Sequence, residues 1–426
     1  MMQSLLGRWF GNTAKPPPVA AKVAVAAAAA HRPMPTEAHS SAPTVGARRA
    51  LVDLRGQVVG YEFSLGASLI ERLRQRPNPV AQSAHFQALL AGMRCCTQQG
   101  LLAYAELPAL WLQAEDSQAS DGIYLGLTPS PGEDVPQMLA SVAPAWRAAG
   151  ARLGWQDQPK HAGMGLLPDF SLSLSARRPD FSSPQAAKQP WVAPHLPDLD
   201  DLDAALVAGA LWAGCATPMG AEPRQAKALS AQTQGLMQLL NRLIRDDDTA
   251  QVVQDIKRDA GLCARLLQHL NSAGVSGHRG LDSIEQAVAV LGRNALYMWL
   301  AALLVRQSPA RPAAGALQAL ALARARLLES LARAAGEPSP GSLYVVGLAS
   351  VLPQLMQASL VDVLASLGLP SKAEMALRHR SGPWGNYLDL AEALEAPDLA
   401  AVERLSTAAG GLESTMALSA QAWLGT

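Results

Sequence analysis

The sequence predicts an α/β domain over residues 47–218 followed by an all-α region. Short apolar runs that read as strands, such as "LLAYAEL" and "GIYLGL", alternate with helical patterns up to about residue 218. From about Ala226 the strand patterns stop and leucines recur at helical spacing to the C-terminus. Residues 1–46 carry neither period.

Those first 46 residues read as a disordered Pro/Ala-rich linker. "KPPPVAAK", an alanine tract and "HRPMPTEAHSSAPT" repeat proline without sustained periodicity. The alanine tract includes Lys22 and is too short and too mildly apolar for a signal peptide or a bilayer span, so no transmembrane segment is expected. "SLLGRWFG" has the pattern of one amphipathic turn. Order is expected to begin at "RRALVDLRGQVVGYEFSLGA", where apolar residues alternate on either side of Arg55-Gly56, the pattern of a β-hairpin. A helix is expected through "SAHFQALLAGMRCCTQQG", then strands at "LLAYAEL" and "GIYLGL", a helix over "VPQMLASVAPAWRAAG" and a strand at "ARLGW". The alternation continues less regularly through "PDFSLSLSA" and "LDAALVAGALWAG", and the order implies a largely parallel sheet.

In the second half, Leu236, Leu239, Leu240 and Leu243 share one helix face, and Val252, Val253 and Ile256 follow a cap at Asp248 or Thr249. "SIEQAVAVLG" offers a capping box of Ser283 and Gln286 and a terminal Gly292; "SKAEMALRHRSG" repeats the device with Ser371, Glu374 and Gly382.

Composition narrows the function. Lys+Arg and Asp+Glu number 35 each, which argues against a nucleic-acid partner, and 49% hydrophobic with 16% charged residues argues for globular structure. The four cysteines show no CxxC spacing, and adjacent Cys95 and Cys96 make a poor disulfide pair. Reduced thiols and high alanine content point to a bacterial cytoplasmic protein.

The stretch "CARLLQHLNSAGVSGHRGLDSIEQAVAVLG" gathers two histidines, an Asn-Ser pair and an Asp. A metal phosphohydrolase of the HD type would need an adjacent His-Asp pair with further His and Asp ligands, because a divalent ion demands several converging N and O donors. No histidine in the chain is followed by Asp. The cluster therefore reads as a turn between two helices, and no metal or cofactor is expected.

These residues resemble the HDOD family over about residues 227–415. Asp259, Leu262, Leu266, Leu267, Asn271, Ser272 and Ala273, then Ile284, Ala287, Val288, Leu291 and Gly292, match its recurring pattern. Ala260 stands where the family usually has proline. HDOD domains look like HD phosphohydrolases that have lost their metal ligands and are regarded as regulatory modules. "LYVVGLASVLPQLMQASLVDVLASLGLPSKAEMALRHRSGPWGNYLDLAEALE" further resembles the tail of bacterial EAL–HDOD proteins of the YuxH-like type. That resemblance implies an EAL-like, TIM-barrel-related domain over residues 47–218.

EAL phosphodiesterases cleave cyclic di-GMP with two divalent ions, held by carboxylates and an Asn, with a Lys near the attacking water. Glu62 in "GYEF" matches the motif glutamate, but Gly66 replaces the substrate-binding Arg. Glu106 or Ala105 stands in place of the Asn, "GIYLGL" has no carboxylate, and Gln156 replaces the first of the paired aspartates, leaving Asp157. "FSLSLSA" has neither Lys nor Asp, and Ala213 replaces the late Gln. Glu62 and Asp157 are remnants too few to hold two ions. The resemblance thus implies a non-catalytic signalling scaffold acting on unidentified protein partners. Cyclic di-GMP sensing or residual phosphodiesterase activity are the alternatives; the oligomeric state is open.

Overall fold

The structure is a computed structural model that describes residues 47–117, 121–129, 135–158, 161, 165–215, 228–244, 248–271, 283–307, 311–396 and 398–424. The expected linker 1–46 and the motif residues Ser272 and Ala273 lie outside them.

Eight strands form a closed barrel in chain order: β1 (Ala47–Val52), β2 (Val58–Phe63), β3 (Leu102–Pro108), β4 (Ile123–Thr128), β5 (Arg152–Trp155), β6 (Phe170–Leu172), β7 (Trp191–Leu196) and β8 (Ala213–Cys215). β1 runs antiparallel to both neighbours, and β2 to β8 are parallel. The expected hairpin is present: Asp53 Oδ1 accepts from the backbone N–H of Arg55 and Gln57, and Gly56 takes a positive φ. β7 is not among the strands expected from sequence, and it carries Pro194 within it.

Side chains fill the barrel. Leu51, Tyr104, Phe170, Leu172, Val192 and Trp212 make one buried cluster, with the Tyr104 and Trp212 rings edge-on at 5.2 Å. Two glycines make room for these rings. A Cβ at Gly126 would fall 2.4 Å from the Tyr104 hydroxyl, and one at Gly154 would fall 2.3 Å from the Phe170 ring.

Helices α1 (Ala67–Gln75) and α2 (Pro79–Thr97) link β2 to β3, and the Asn78 side chain caps α2 by accepting from Ala81 N. The single helix expected over 135–150 is instead two, α3 (Val135–Leu139) and α4 (Ala143–Ala148). Pro144 has no N–H to give to the preceding turn, so the chain breaks there. α5 (Leu199–Val207) precedes β8, capped by Asp198.

Beyond the barrel the described elements are helical: α6 (Ala231–Ile244), α7 (Thr249–Arg258), α8 (Ala260–Asn271), α9 (Ile284–Val305), α10 (Pro312–Ala334), α11 (Pro340–Ala349), α12 (Leu352–Met356), α13 (Leu360–Leu367), α14 (Ser371–His379), α15 (Gly385–Glu395), α16 (Leu399–Ser406) and α17 (Leu412–Leu424). Asp248 caps α7, and Ser283 Oγ accepts from Gln286 N as expected. In α14 the N-cap is Pro370, not Ser371, so the second capping box is absent. Gly292 is the helix stop expected from sequence: at φ 75° its backbone is non-helical, and a second helical segment follows it within α9. Among the described residues α9 alone is long and apolar enough by composition to cross a membrane. Its thirteen residues after the break rise only about 20 Å, short of a hydrocarbon core of about 30 Å.

The chain divides into two compact units. One contains Asp248–Arg293; the other contains Ser40–Asp247 with Asn294–Leu424. In the first, α7 buries Val252, Val253 and Ile256, α8 buries Leu262, Leu266 and Leu270, and Lys257 pairs with Glu285. In the second, α10 lies against β1 and α5, and α17 also touches β1. Ala313 of α10 joins Val52, Ala193, Leu206 and Ala213 in one buried cluster. Arg311 Nε binds Asp203 Oδ2 at 2.6 Å, while Asp203 Oδ1 accepts from Ala313 N at 2.8 Å. A helix from the C-terminal half thus completes the outer layer of the barrel at β1.

Candidate functional site

Parallel strands place their C-terminal ends at one rim of the barrel, where loops leave room for a site. Glu62, Glu106, Thr128 and His195 stand near the ends of β2, β3, β4 and β7, and Arg48 stands at the start of antiparallel β1. They line a cavity of about 530 Å³ together with Ser64, Ser68 and Asp398.

Glu62 is 2% exposed, so its carboxylate needs internal partners. It has two. Arg48 Nε and Nη2 lie 3.2 and 3.1 Å from Oε1, and Arg49 Nη1 lies 3.4 Å from Oε2. Consecutive strand residues normally face opposite sides. Here the register passes from Ala47↔Phe63 to Arg49↔Glu62, which makes Arg48 the extra residue of a bulge and lets both guanidiniums reach one carboxylate.

Glu106 Oε2 accepts from the Tyr104 hydroxyl at 3.2 Å and pairs with His195 Nε2 at 2.9 Å. His195 Nδ1 lies 3.8 Å from Glu62 Oε1, so the imidazole bridges the two carboxylates. Burial alone would lower the His195 pKa. The Glu106 hydrogen bond and the Glu62 charge outweigh it, and the group is held above its ordinary value of 6.5. Burial lowers the Arg48 pKa, and Glu62 opposes that effect.

The rim is therefore an internally neutralised chain, Arg49 and Arg48 to Glu62, Glu62 to His195, and His195 to Glu106. A divalent ion here would have to displace these cations. Among the described residues no three His, Cys, Asp or Glu groups are arranged to hold a metal ion.

The two sequence-derived remnants part company. Glu62 faces the cavity, whereas Asp157 does not line it. Asp157 Oδ2 accepts from Ser182 N at 2.7 Å and Oδ1 lies 3.5 Å from His161 Nδ1, which ties together the loops after β5 and β6. Asp259 is a helix cap, accepting from Leu262 N at 3.0 Å ahead of α8. Asn271 closes α8, and Gly292 makes the break in α9. Arg48, Arg49 and His195 were not singled out from sequence. The adjacent arginines at the start of β1 were the available signal, while His195 lies on β7, a strand outside those expected from sequence.

Comparison with known proteins bears on the helical half. The HDOD domain family model matches residues 231–378. Residues 231–378 are an HDOD domain. The match runs from α6 into α14 and so takes in parts of both compact units. The chain is 26% identical over 170 residues to "Uncharacterized protein YuxH" of Bacillus subtilis, covering 39% of this chain and 42% of that protein. It is 28% identical over 170 residues to "Cyclic di-GMP phosphodiesterase CdgJ" of Vibrio cholerae, covering 39% of each. The chain thus spans about two fifths of the length of the curated relatives it matches. A crystal structure of an HDOD domain protein of unknown function from Geobacter sulfurreducens is 17% identical, covering 42% of this chain and 74% of that one, with a TM-score of 0.29.

Proposed function

We propose that this chain is a cytoplasmic regulatory protein of bacterial signal transduction, in which a degenerate EAL-like barrel and an HDOD domain act through contacts with other proteins rather than by hydrolysis. The observation that carries this reading is the occupation of Glu62: both carboxylate oxygens are taken by Arg48 and Arg49 from the same chain. A two-ion hydrolytic site needs its carboxylates free for metal and a base near the attacking water. In this rim the second carboxylate, Glu106, is bound by Tyr104 and His195. The HDOD match and the relative named as a cyclic di-GMP phosphodiesterase support a place in signalling.

The test is incubation of the full chain with cyclic di-GMP and Mg²⁺ or Mn²⁺. No linear dinucleotide is expected. Turnover that Glu62→Ala abolishes would overturn the proposal. A second reading, a barrel that senses the nucleotide without cleaving it, is favoured by the cavity of about 530 Å³ at the rim. Calorimetry with cyclic di-GMP in the absence of metal separates the two, since a pure scaffold gives no heat of binding.

A further inference from the structure

Arg48 sits between two carboxylate clusters, and only one of them holds it. Its Nε and Nη2 bind Glu62 on the barrel side, while Nη1 is buried and has no hydrogen-bond partner. The residue is 9% exposed, so water does not readily complete its bonding. It lines the rim cavity and also a second, smaller cavity of about 110 Å³. Glu392 and Glu395, on the last turn of α15, line that second cavity with it. The Glu395 charge already acts on Arg48.

Glu395 is itself anchored. Arg324 of α10 grips it with Nε at 2.9 Å and Nη2 at 2.6 Å, and the Arg324 Nη1 donates to Ser350 Oγ at 2.7 Å. Burial raises the Glu392 pKa, and Arg380 opposes that rise. A carboxylate has about four acceptor sites, so Glu395 retains capacity for a further donor. Ala396, at the end of α15, lines both cavities beside Arg48.

We propose that Arg48 is a two-position coupler between the barrel rim and α15. In the observed position it neutralises Glu62. When a cationic group enters the rim cavity and takes over the Glu62 charge, the Arg48 guanidinium turns across the 110 Å³ cavity onto Glu395 and Glu392 and pins the end of α15. Occupancy of the rim is thereby converted into stiffness of the helical half, through a discrete element with two sets of partners. The inference concerns the linkage between rim and helix and holds whether or not the barrel turns over a substrate.

Hydrogen–deuterium exchange of the full chain tests it. Glu62→Gln removes the charge that holds Arg48 and stands in for the arriving cation. The amides of residues 392–396 are expected to exchange about fivefold more slowly in this variant. α4, on the barrel wall, should be unchanged. In an Arg48→Met background the Glu62→Gln change should have no effect on α15. Unchanged or faster exchange at 392–396 in E62Q, slowing spread over the whole barrel, or slowing that persists in the R48M background would each overturn the proposal. If E62Q or R48M does not fold, Glu62→Asp decides: it keeps the charge, retracts the carboxylate by one methylene, and should slow the same amides to a smaller degree. No slowing in E62D would refute the coupling. Cyclic di-GMP turnover is measured separately, so the failure of either idea is visible without the other.

Discussion

Arg324 shows how a single buried charge can organise the helical half. It is 1% exposed, yet it ties three helices through a bidentate pair with Glu395 of α15 and a hydrogen bond to Ser350, just past α11. Such a pair adds little net stability over an apolar replacement, but breaking it strands a charge. Arg324→Leu is therefore expected to cost about 3–5 kcal/mol in urea denaturation, while the double change Arg324→Leu with Glu395→Leu should recover much of the loss. Only part of this level could be read from the sequence. Glu62 and Asp259 stand in motifs, so the sequence alone points to them. Their roles were not equally legible: Asp259 serves its own helix three residues on, whereas Glu62 depends on a bulge and on His195 from the other side of the barrel. His195 carries no local signature and the adjacent Arg48 and Arg49 only a faint one, because what brings the three together is strand register and closure.

Among the elements, the contact of α10 with the β1–β2 turn is set by a small residue. A Cβ on Gly315 would fall 2.0 Å from the Gly56 carbonyl oxygen, so this helix reaches the barrel only because position 315 is bare. Gly315→Ala normally gains helix propensity of about 1 kcal/mol. Here overpacking against backbone should reverse the sign, with a net loss of about 1–3 kcal/mol by thermal or chemical denaturation. A stabilised G315A protein would show that the helix can shift away freely. The hairpin, α2 and α7 were legible because caps and periodicity agree locally. The break between α3 and α4 was not, because apolar periodicity runs across Pro144. β7 contains Pro194, and it is pairing with β6 and β8 on both sides that holds it as a strand.

The molecule as a whole follows an order of assembly that its chain order disguises. The sequence announces a change from mixed α/β to helix near residue 226, and that change is present. What periodicity does not carry is which helix covers which strand, since any amphipathic helix offers a similar face. β1 buries Ala50, Leu51 and Val52, and the helices against it are α10, α15 and α17, all far downstream. A fragment of residues 47–226 would keep all eight strands and lose that cover. It is expected to sediment as aggregate or to bind hydrophobic dyes, in contrast to the full chain; a soluble, cooperatively melting fragment would show that α10 is dispensable.

The same arrangement constrains how the protein is made. A nascent chain that has left the ribosome as far as β8 still has its β1 flank without α10, whose Ala313 shares a buried cluster with Val52. It must hold that flank apart from its neighbours until residue 334 has been translated and α10 can dock. Synonymous codon changes that slow elongation between residues 216 and 334 should lengthen that vulnerable interval, which makes the pace of translation itself a determinant of yield.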